Sequence, residues 1–266
     1  MFINLCSLFS GSSGNSTYIG TDKTHILVDS GLSGVKVKKA LRSVGIEPSD
    51  LDAIVITHEH TDHIQSAGVL SREFGIPIYA NEKTWTAMDG KIGDIASENI
   101  RIFFNDIDFY IKDLNIVPFS IPHDAADPVG FCIHYGNKKI SIATDLGYTN
   151  NKILDQIRDS NVVILEANHD VDMLSFGPYP KALKNRIMGK KGHLSNEDAG
   201  KVAVDLVEGG VTHILLAHLS KQNNLPRLAY ETVAHTLALQ EIKVGYDMML
   251  DMTHRDRAGN MYHIDI

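Results

Sequence analysis

The richest chemistry in the sequence lies in residues 58–63, which read H-E-H-T-D-H and directly follow a short apolar segment. His58 and His60 stand two positions apart, and in extended backbone such side chains point to the same side. Asp62 and His63 open the next predicted helix, where adjacent side chains diverge, so they suit a second ion beside the first. Imidazole nitrogen and carboxylate oxygen are ligands of zinc, manganese and iron, among which the sequence does not choose.

The alternative for this stretch is a solvated polar loop with chance histidines. Clustered imidazoles desolvate one another and repel when charged, so a strand that runs straight into the motif has little structural reason without a metal. The H-E-x-x-H motif of zinc proteases is absent, because position 62 is Asp rather than His. Thiolate ligation is not expected either, since the chain has only 2 Cys and they form no C-x-x-C motif.

Three further residues of ligand type stand just past the ends of predicted apolar strands, at the edge where layered α/β folds build their sites. They are His123 after residues 114–121, Asp145 after 138–143 and His218 after 211–217. Each alone is more often a partly buried polar residue than a ligand. With the H-E-H-T-D-H motif they complete a candidate set of seven: His58, His60, Asp62, His63, His123, Asp145 and His218.

The composition is that of an ordinary globular protein, with 266 residues, 43% hydrophobic and 22% charged, which excludes a disordered, collagen-like or coiled-coil chain. The net charge of -8 argues against a basic surface that would bind nucleic acid everywhere, but it leaves room for a local basic groove.

We expect no signal peptide and no membrane span, and the few cysteines fit a reducing compartment, so a cytoplasmic protein is predicted. Without a linker or low-complexity tract, residues 1–266 are predicted to form one domain, whose oligomeric state stays open.

Apolar patterning predicts strands and interleaved helices, which favours a layered α/β fold with sheet inside and helices outside. Strands are predicted at 2–8, 16–20, 25–29, 51–57, 100–104, 107–111, 114–121, 129–135, 138–143, 161–167, 211–217, 245–251 and 260–265. Helices are predicted at 33–44, 63–74, 150–158, 179–188, 195–208 and 225–240.

The same residues match a family pattern. The sequence resembles the metallo-β-lactamase superfamily, whose five motifs occur here in order: Asp29, then residues 58–63, then His123, Asp145 and His218. The resemblance implies an αββα four-layer sandwich with a dinuclear metal site. It implies one ion on His58, His60 and His123, a second on Asp62, His63 and His218, Asp145 as the bridge, and Asp29 as a brace that binds no metal. Two divalent ions about 3.5–4 Å apart can share a hydroxide and clamp a phosphoryl or acyl oxygen.

A finer resemblance is to the YycJ (WalJ) family of small bacterial proteins with this fold. The matching stretches are 9–15, 121–124, 165–170, 192–196 and 216–220, which read F-S-G-S-S-G-N, I-P-H-D, L-E-A-N-H-D, G-H-L-S-N and L-A-H-L-S. That family is associated with 5′-to-3′ exonuclease activity on DNA. The resemblance therefore implies a metal-dependent hydrolase, a phosphodiesterase that degrades DNA with a metal-bridging hydroxide as nucleophile.

Two basic clusters favour a phosphate-bearing substrate, although solvated helix faces explain either cluster as readily. One lies in the acid-free stretch 173–196 and contains Lys181, Lys184, Arg186, Lys190 and Lys191; the other contains Lys36, Lys38, Lys39 and Arg42. The loop at 11–15 offers backbone amides for an anion nest, or else forms a tight hairpin connection. Ser13 and Asn15 are therefore candidate substrate contacts.

His193 is the leading catalytic candidate outside the ligand set. Hydrolysis needs an acid because an alkoxide leaves poorly, and in the related phosphodiesterases a His at a comparable position protonates the leaving oxygen. Asp62 is the second candidate, since it could orient or deprotonate the attacking water. Glu166 and His169 follow the strand at 161–167 and are candidates for relaying protons to His193, or for structural support.

Other functions share these ligands. A small-molecule phosphodiesterase acting on cyclic or nucleotide phosphates, and a ribonuclease, would use the same chemistry. A regulatory module that keeps metal without catalysis is less favoured, because structural zinc sites are usually closed and often thiolate-rich.

Overall fold

The computed structural model describes residues 2–265 and arranges them as two seven-stranded sheets with helices on the outer faces. The first sheet contains β1 (Phe2–Phe9), β2 (Ser16–Gly20), β3 (His25–Val28), β4 (Ala53–Val55), β5 (Ile78–Ala80), β6 (Ile100–Ile102) and β14 (Tyr262–Asp265). The second contains β7 (Phe109–Ile111), β8 (Leu114–Ser120), β9 (Val129–Tyr135), β10 (Lys138–Ala143), β11 (Val162–Glu166), β12 (His213–Ala217) and β13 (Met249–Met252).

The two sheets have the same pairing pattern. The first has the order β14-β1-β2-β3-β4-β5-β6, and the second has the order β7-β8-β9-β10-β11-β12-β13 when read from the matching edge. In each, the first three pairings are antiparallel and the last three are parallel. Each sheet therefore ends in a group of four parallel strands, whose carboxyl ends lie at one edge.

The helices form the outer layers. They are α1 (Gly34–Ser43), α2 (Thr61–Ile64), α3 (Ala67–Phe74), α4 (Glu82–Met88), α5 (Asn151–Ile157), α6 (Val171–Phe176), α7 (Lys181–Ile187), α8 (Asn196–Glu208) and α9 (Pro226–Leu239), with short 3₁₀ turns at Pro48–Asp50 and Ser97–Asn99. Helices α1, α3 and α4 pack on the first sheet, and α5, α8 and α9 pack on the second.

Three apolar layers separate the four layers of secondary structure, which confirms the predicted αββα sandwich. The middle layer joins the two sheets, and the others join each sheet to its helices. Strand alternation creates this division: Ile3 and Leu5 of β1 face the other sheet, whereas Cys6 and Leu8 face the helices. Both faces of β1 are thus buried, as expected for a strand inside a sandwich.

The predicted helix at 63–74 is wrong as a single element. Its backbone breaks at Ser66, whose N–H donates to the carbonyl of Ser30 at 2.9 Å instead of continuing the helical ladder. The Ser30 and Ser66 hydroxyls also bond to each other at 2.7 Å. This long-range contact separates α2 from α3, while Gly75 ends α3 in the left-handed conformation.

Three short elements escaped prediction, namely β5, α4 and α6. The strand is only three residues long, too short for a periodic signal. Both helices begin at a side-chain cap, since Asn81 accepts from the N–H of Thr84 and Asp170 accepts from the N–H of Met173. Those caps were the available signal. Across residues 2–265, no helix combines the length and apolarity that a membrane crossing requires.

Candidate metal centre

The parallel strands of both halves bring the predicted ligands to one edge of the sandwich. Three residues that follow strands at this edge have left-handed backbone: Asp29 at φ 63°, Asp145 at φ 59° and His218 at φ 56°. Such backbone is uncommon outside glycine and is least costly for Asp, Asn and His. Its repetition at one edge indicates that the turns are shaped to aim these side chains inward.

The first cluster contains three imidazole nitrogens. His58 Nε2 lies 3.0 Å from His60 Nδ1, and His60 Nδ1 lies 3.3 Å from His123 Nε2. Three nitrogens bound to one ion at about 2.0–2.1 Å would be spaced roughly 3–3.4 Å apart, so this cluster suits a single metal ion. Burial, followed by the neighbouring His63, holds the pKa of His58 well below its usual value, and neutral imidazole is the form that binds metal.

The second cluster contains Asp62, His63 and His218, with Asp145 facing both clusters. His63 Nε2 lies 3.7 Å from Asp62 Oδ2 and 3.2 Å from Asp145 Oδ2, and His218 Nε2 lies 3.8 Å from Asp62 Oδ2. Asp145 Oδ1 lies 3.8 Å from His123 Nε2 of the first cluster. Asp145 Oδ2 and His218 Nε2 are buried and lack a hydrogen-bond partner within residues 2–265. Buried polar atoms rarely stay unpaired, so the donor set fits a cation.

The charges around the second cluster also favour a cation. Burial lowers the pKa of His63, but Asp29, Asp145 and Asp62 raise it well above its ordinary value. Burial likewise opposes protonation of His218, and Asp145 is the largest of the groups that raise the pKa of this imidazole to about 10. The carboxylates thus create a strongly negative, desolvated space. A divalent ion in that space would replace the protons.

Asp29 holds the first half of the site in place. Its Oδ1 accepts from the backbone N–H of Thr57 at 2.9 Å, and its Oδ2 accepts from the Thr57 hydroxyl at 2.9 Å and lies 2.7 Å from His63 Nδ1. With Nδ1–H donated to Asp29, His63 presents its Nε2 lone pair to the second cluster. The geometry is that of a brace, which is the role that the family resemblance implies for Asp29.

Glu166 performs the corresponding task in the second half. Its side chain is 0% exposed, and its Oε1 lies 2.7 Å from His218 Nδ1 and 2.9 Å from His193 Nδ1. Its Oε2 accepts from the backbone N–H groups of Leu146 at 3.0 Å and Leu194 at 3.1 Å. Burial alone would raise the pKa of this carboxyl. The opposing effect of His193, followed by that of His218, is larger and lowers the pKa to about 2. Glu166 is therefore an ionised carboxylate that orients two imidazoles at once.

His193 lies at the mouth of the site with its side chain 19% exposed. Its ring centroid is 5.2 Å from that of His123 and 5.2 Å from that of His218. Burial lowers the pKa of His193, and Glu166 raises it by more, so the net shift is upward. Because Nδ1 is engaged by Glu166, Nε2 is the nitrogen that remains for a substrate.

The structure does not bring His169 into the relay suggested by the sequence. Within the part of the chain that the structure describes, it forms no hydrogen bond to Glu166 or His193, and its buried Nδ1 has no partner. Burial lowers the pKa of His169 to about 4. Its backbone carbonyl instead accepts from the N–H of Asn196 at 2.8 Å, which ties the strand-end loop to the start of α8.

The basic cluster around α7 divides into two sets. Lys184 donates to the carbonyl of Ser175 at 2.8 Å, and Arg186 pairs with Asp124, next to the ligand candidate His123. These two are held by the protein itself. The remaining members are exposed and form no ion pair within residues 2–265; they are Lys181, Lys190 and Lys191.

The loop at 11–15 joins the antiparallel strands β1 and β2, so it is a hairpin connection. Its amides are largely occupied, because Gly11 N–H donates to Asn15 Oδ1 and Gly14 N–H donates to the carbonyl of Gly11. Asn15 nevertheless reaches the site, with its Nδ2 3.0 Å from His63 Nε2. Ser13 lies beyond it on the wall of a neighbouring cavity.

Several supporting residues were missed by sequence reasoning. Thr57 links Asp29 to His63, and its position directly before His58 was the available signal. Glu59 turns away from the two clusters and accepts from the N–H of Ala126, which fixes the loop after His123. Asn168 donates from its side chain to the carbonyl of His218 at 2.8 Å. For Glu59 and Asn168, only the spatial neighbours reveal these roles.

Comparison with known proteins agrees with this architecture. The family model described as "Metallo-beta-lactamase superfamily" matches residues 10–189. The chain is 40% identical over 246 residues to "Exodeoxyribonuclease YycJ" of Bacillus anthracis, covering 92% of this chain and 93% of that protein. It is 41% identical over 259 residues to "Exodeoxyribonuclease WalJ" of Streptococcus pneumoniae strain D39, covering 97% of this chain and 96% of that one.

Among solved structures, the metallo-β-lactamase fold protein YhfI from Bacillus subtilis superposes with a TM-score of 0.74, over 99% of this chain and 100% of that one, at 15% identity. At that identity the superposition shows the fold alone. The family of the chain is shown by the match of the family model and by the high identity to two relatives over nearly their full length. The chain belongs to the metallo-β-lactamase superfamily and, within it, to the family of YycJ and WalJ.

Proposed function

We propose that this chain is a metal-dependent phosphodiesterase that degrades DNA from its 5′ end. The observation that carries the proposal is the meeting of two His/Asp clusters at one strand edge, with His193 held on Glu166 beside them. The relatives named exodeoxyribonuclease, which match almost the whole chain, support DNA as the substrate.

Two divalent ions fit the two clusters. One would be held by His58, His60 and His123, the other by Asp62, His63 and His218, with Asp145 facing both. The nitrogen and oxygen donors suit zinc, manganese or iron. When bound, such ions acidify water and neutralise the charge that develops on a phosphoryl oxygen.

The remaining chemistry belongs to the chain's own side chains. Asp62, with its side chain 26% exposed, reaches the solvent side of the cluster, where it orients the attacking water and accepts its proton. As the new P–O bond forms, the bond to the sugar oxygen breaks. His193 donates a proton to that departing oxygen, and Glu166 stabilises the cationic imidazole from which the proton comes.

The proposal is tested by digesting DNA and RNA oligonucleotides labelled at the 5′ or the 3′ end, before and after chelation. We expect release of nucleotides from the 5′ end of DNA, loss of activity with chelator, and recovery with a divalent metal. Preference for RNA would identify a ribonuclease instead. Turnover of small diesters alone would identify a small-molecule phosphodiesterase.

The role of His193 is tested with His193→Gln on two substrates. DNA has a poor leaving group, so kcat/KM should fall by about 10²–10⁴-fold. Bis-p-nitrophenyl phosphate has a leaving group that departs without a proton, so its kcat/KM should fall by less than about tenfold. An equal loss on both substrates would contradict proton donation by His193.

A further inference from the structure

A cavity of about 600 Å³ lies beside the metal centre, between α1 and the segment that precedes β14. Its floor is apolar, with Phe9 and Leu32 among the lining residues. Four cations line it, and the only acid among the lining residues is Asp256; the cations are Lys36, Lys39, Arg255 and Arg257. The volume is typical of clefts that hold ligands, which measure about 300–1,000 Å³.

The two lysines of this cavity form no ion pair within residues 2–265, unlike their neighbours on α1. Lys38 on α1 pairs with Glu73 at 2.7 Å, and Arg42 pairs with Glu47 at 3.1 Å. Lys36 and Lys39, which lie three positions apart on the cavity side of the same helix, have no acidic partner within residues 2–265. The basic cluster of α1 is therefore split, with one pair neutralised and the other turned to the cavity.

Arg255 is the best-fixed cation of the cavity. One end of its guanidinium donates to the carbonyl of Leu219 at 2.9 Å, so its position is set by the fold. It has no acidic partner within residues 2–265, although it lines the cavity together with Lys36 and Lys39. Its charge therefore adds to that of the two lysines.

The cavity lies close to the metal centre. Ser13 on its wall is two residues from Asn15, whose Nδ2 lies 3.0 Å from His63 Nε2, and two residues span at most about 7 Å. On the other side, Leu32 follows Gly31. A Cβ at Gly31 would lie 1.6 Å from the carbonyl oxygen of Asp62, so the backbone of the wall contacts the backbone of the site.

We propose that this cavity binds the phosphate backbone of the DNA strand whose terminal phosphodiester lies at the metal centre. The inference rests on the proposed nuclease function and adds where the rest of the strand lies. Unpaired cations neutralise successive phosphates, and the apolar floor accommodates sugar and base. The net charge of -8 over the whole chain then does not prevent binding, because the strand lies in this basic cavity.

The test measures binding of a single-stranded phosphorothioate oligonucleotide, which resists hydrolysis, to the metal-loaded protein over a salt series. For single strands, log K falls with log salt by about 0.7 per phosphate contact. Lys36→Gln with Lys39→Gln should make that slope shallower by about 1.4, and Arg257→Gln by about 0.7. These side chains are exposed, so folding should be unaffected.

The matched control is Lys138→Gln with Lys243→Gln, which removes the same charge. Lys138 starts β10, and Lys243 precedes β13, so both lie at the strand edge opposite the site. The control should keep the wild-type slope, and kcat/KM for bis-p-nitrophenyl phosphate should stay within about twofold in every variant. An unchanged slope in the Lys36/Lys39 variant, or no salt-dependent binding at all, would overturn the proposal.

The two proposals fail separately. If the wild type cleaves DNA but the cavity variants keep its salt slope, the cavity proposal is wrong and the nuclease stands. If the variants lose the slope but the wild type leaves DNA intact, the cavity binds nucleic acid without the proposed activity. Loss of bis-p-nitrophenyl phosphate turnover in the Lys36/Lys39 variant would place these lysines at the metal centre and overturn the cavity proposal as well.

Discussion

The two halves of the molecule build the same sheet and use it differently. Each has three antiparallel pairings followed by three parallel ones, and each has an aspartate just past the first parallel strand. These are Asp29 after β3 and Asp145 after β10, and both have left-handed backbone. Position and conformation are shared, so the difference between them lies in what surrounds the carboxylate.

Asp29 has its oxygens occupied by Thr57 and His63, so it supports a candidate ligand. Asp145 keeps Oδ2 unpaired within residues 2–265 and faces both clusters. In the second half the brace is Glu166, which lies one strand further along the sheet, at the end of β11. Because Glu166 rather than Asp145 braces the histidines of the second half, Asp145 keeps an oxygen without a partner in the described part of the chain. Two similar sheets therefore form an asymmetric site.

The largest expected effect comes from replacing the carboxylate with an amide at each of the two aspartates. Asp145→Asn should lower DNA hydrolysis about a thousandfold and leave about one bound ion per chain rather than the proposed two, because a carboxylate facing both clusters is lost. Asp29→Asn should cost about 10- to 100-fold, because an amide N–H facing His63 Nδ1 disfavours the tautomer that presents Nε2.

Rate assays and metal analysis on the purified variants measure both effects, with thermal unfolding as the control for folding. Equal losses of activity and metal from the two substitutions would mean that the two aspartates have the same role. That result would remove the distinction between the halves.

A smaller effect is expected at the second brace. Glu166→Gln should lower kcat/KM for DNA by about 10- to 100-fold, since it weakens the orientation of both His218 and His193. Because Glu166 and His193 act as a unit, the double variant with His193→Gln should cost less than the product of the two single losses.

The check is a double-mutant cycle on DNA, with kcat/KM measured for the wild type, both single variants and the double variant. Strict multiplication of the two losses would show that Glu166 acts on His218 alone. The bracing of the second half would then resemble the one-histidine brace of the first half.

The asymmetry between the halves also shows where sequence reasoning reaches its limit. All seven candidate ligands were visible, because each follows a predicted strand end or lies within H-E-H-T-D-H, and strand ends are local features. Apolar patterning predicted a layered α/β fold, and the αββα arrangement came from the family resemblance. The different roles of Asp29 and Asp145 were not visible locally, because both follow a strand end; only the family resemblance separated them.

What the sequence could not show depends on contacts between distant segments. The break between α2 and α3 needs Ser30 beside Ser66. The pairing of Glu166 with two imidazoles needs β11 and β12 side by side. The cavity needs α1 beside Arg255 and Arg257, which no local pattern records. The basic cluster around α7 was identified from five cations in sequence, and the structure shows that Lys184 and Arg186 are held by the protein.

The smallest expected effect concerns the two cysteines, one in each half and each facing a helical layer. Burial raises the pKa of Cys6 to about 11, against a weaker opposing hydrogen bond to Gly259, and burial also raises the pKa of Cys132. At pH 8 only about one Cys6 in a thousand would be a thiolate. A thiol reagent should therefore leave the native protein unlabelled and its activity unchanged, and should label both thiols in guanidinium.

Mass spectrometry of the intact protein over an hour with the reagent measures this outcome. Labelling of both thiols at equal slow rates would indicate global unfolding, which exposes the two halves together. Rapid labelling of Cys6 alone would instead indicate that the layer of α1, α3 and α4 opens locally while that of α5, α8 and α9 stays closed. Because the proposed DNA cavity is walled by α1, such opening would also make its lysines mobile, and the two halves would then differ in dynamics as well as in the placement of their braces.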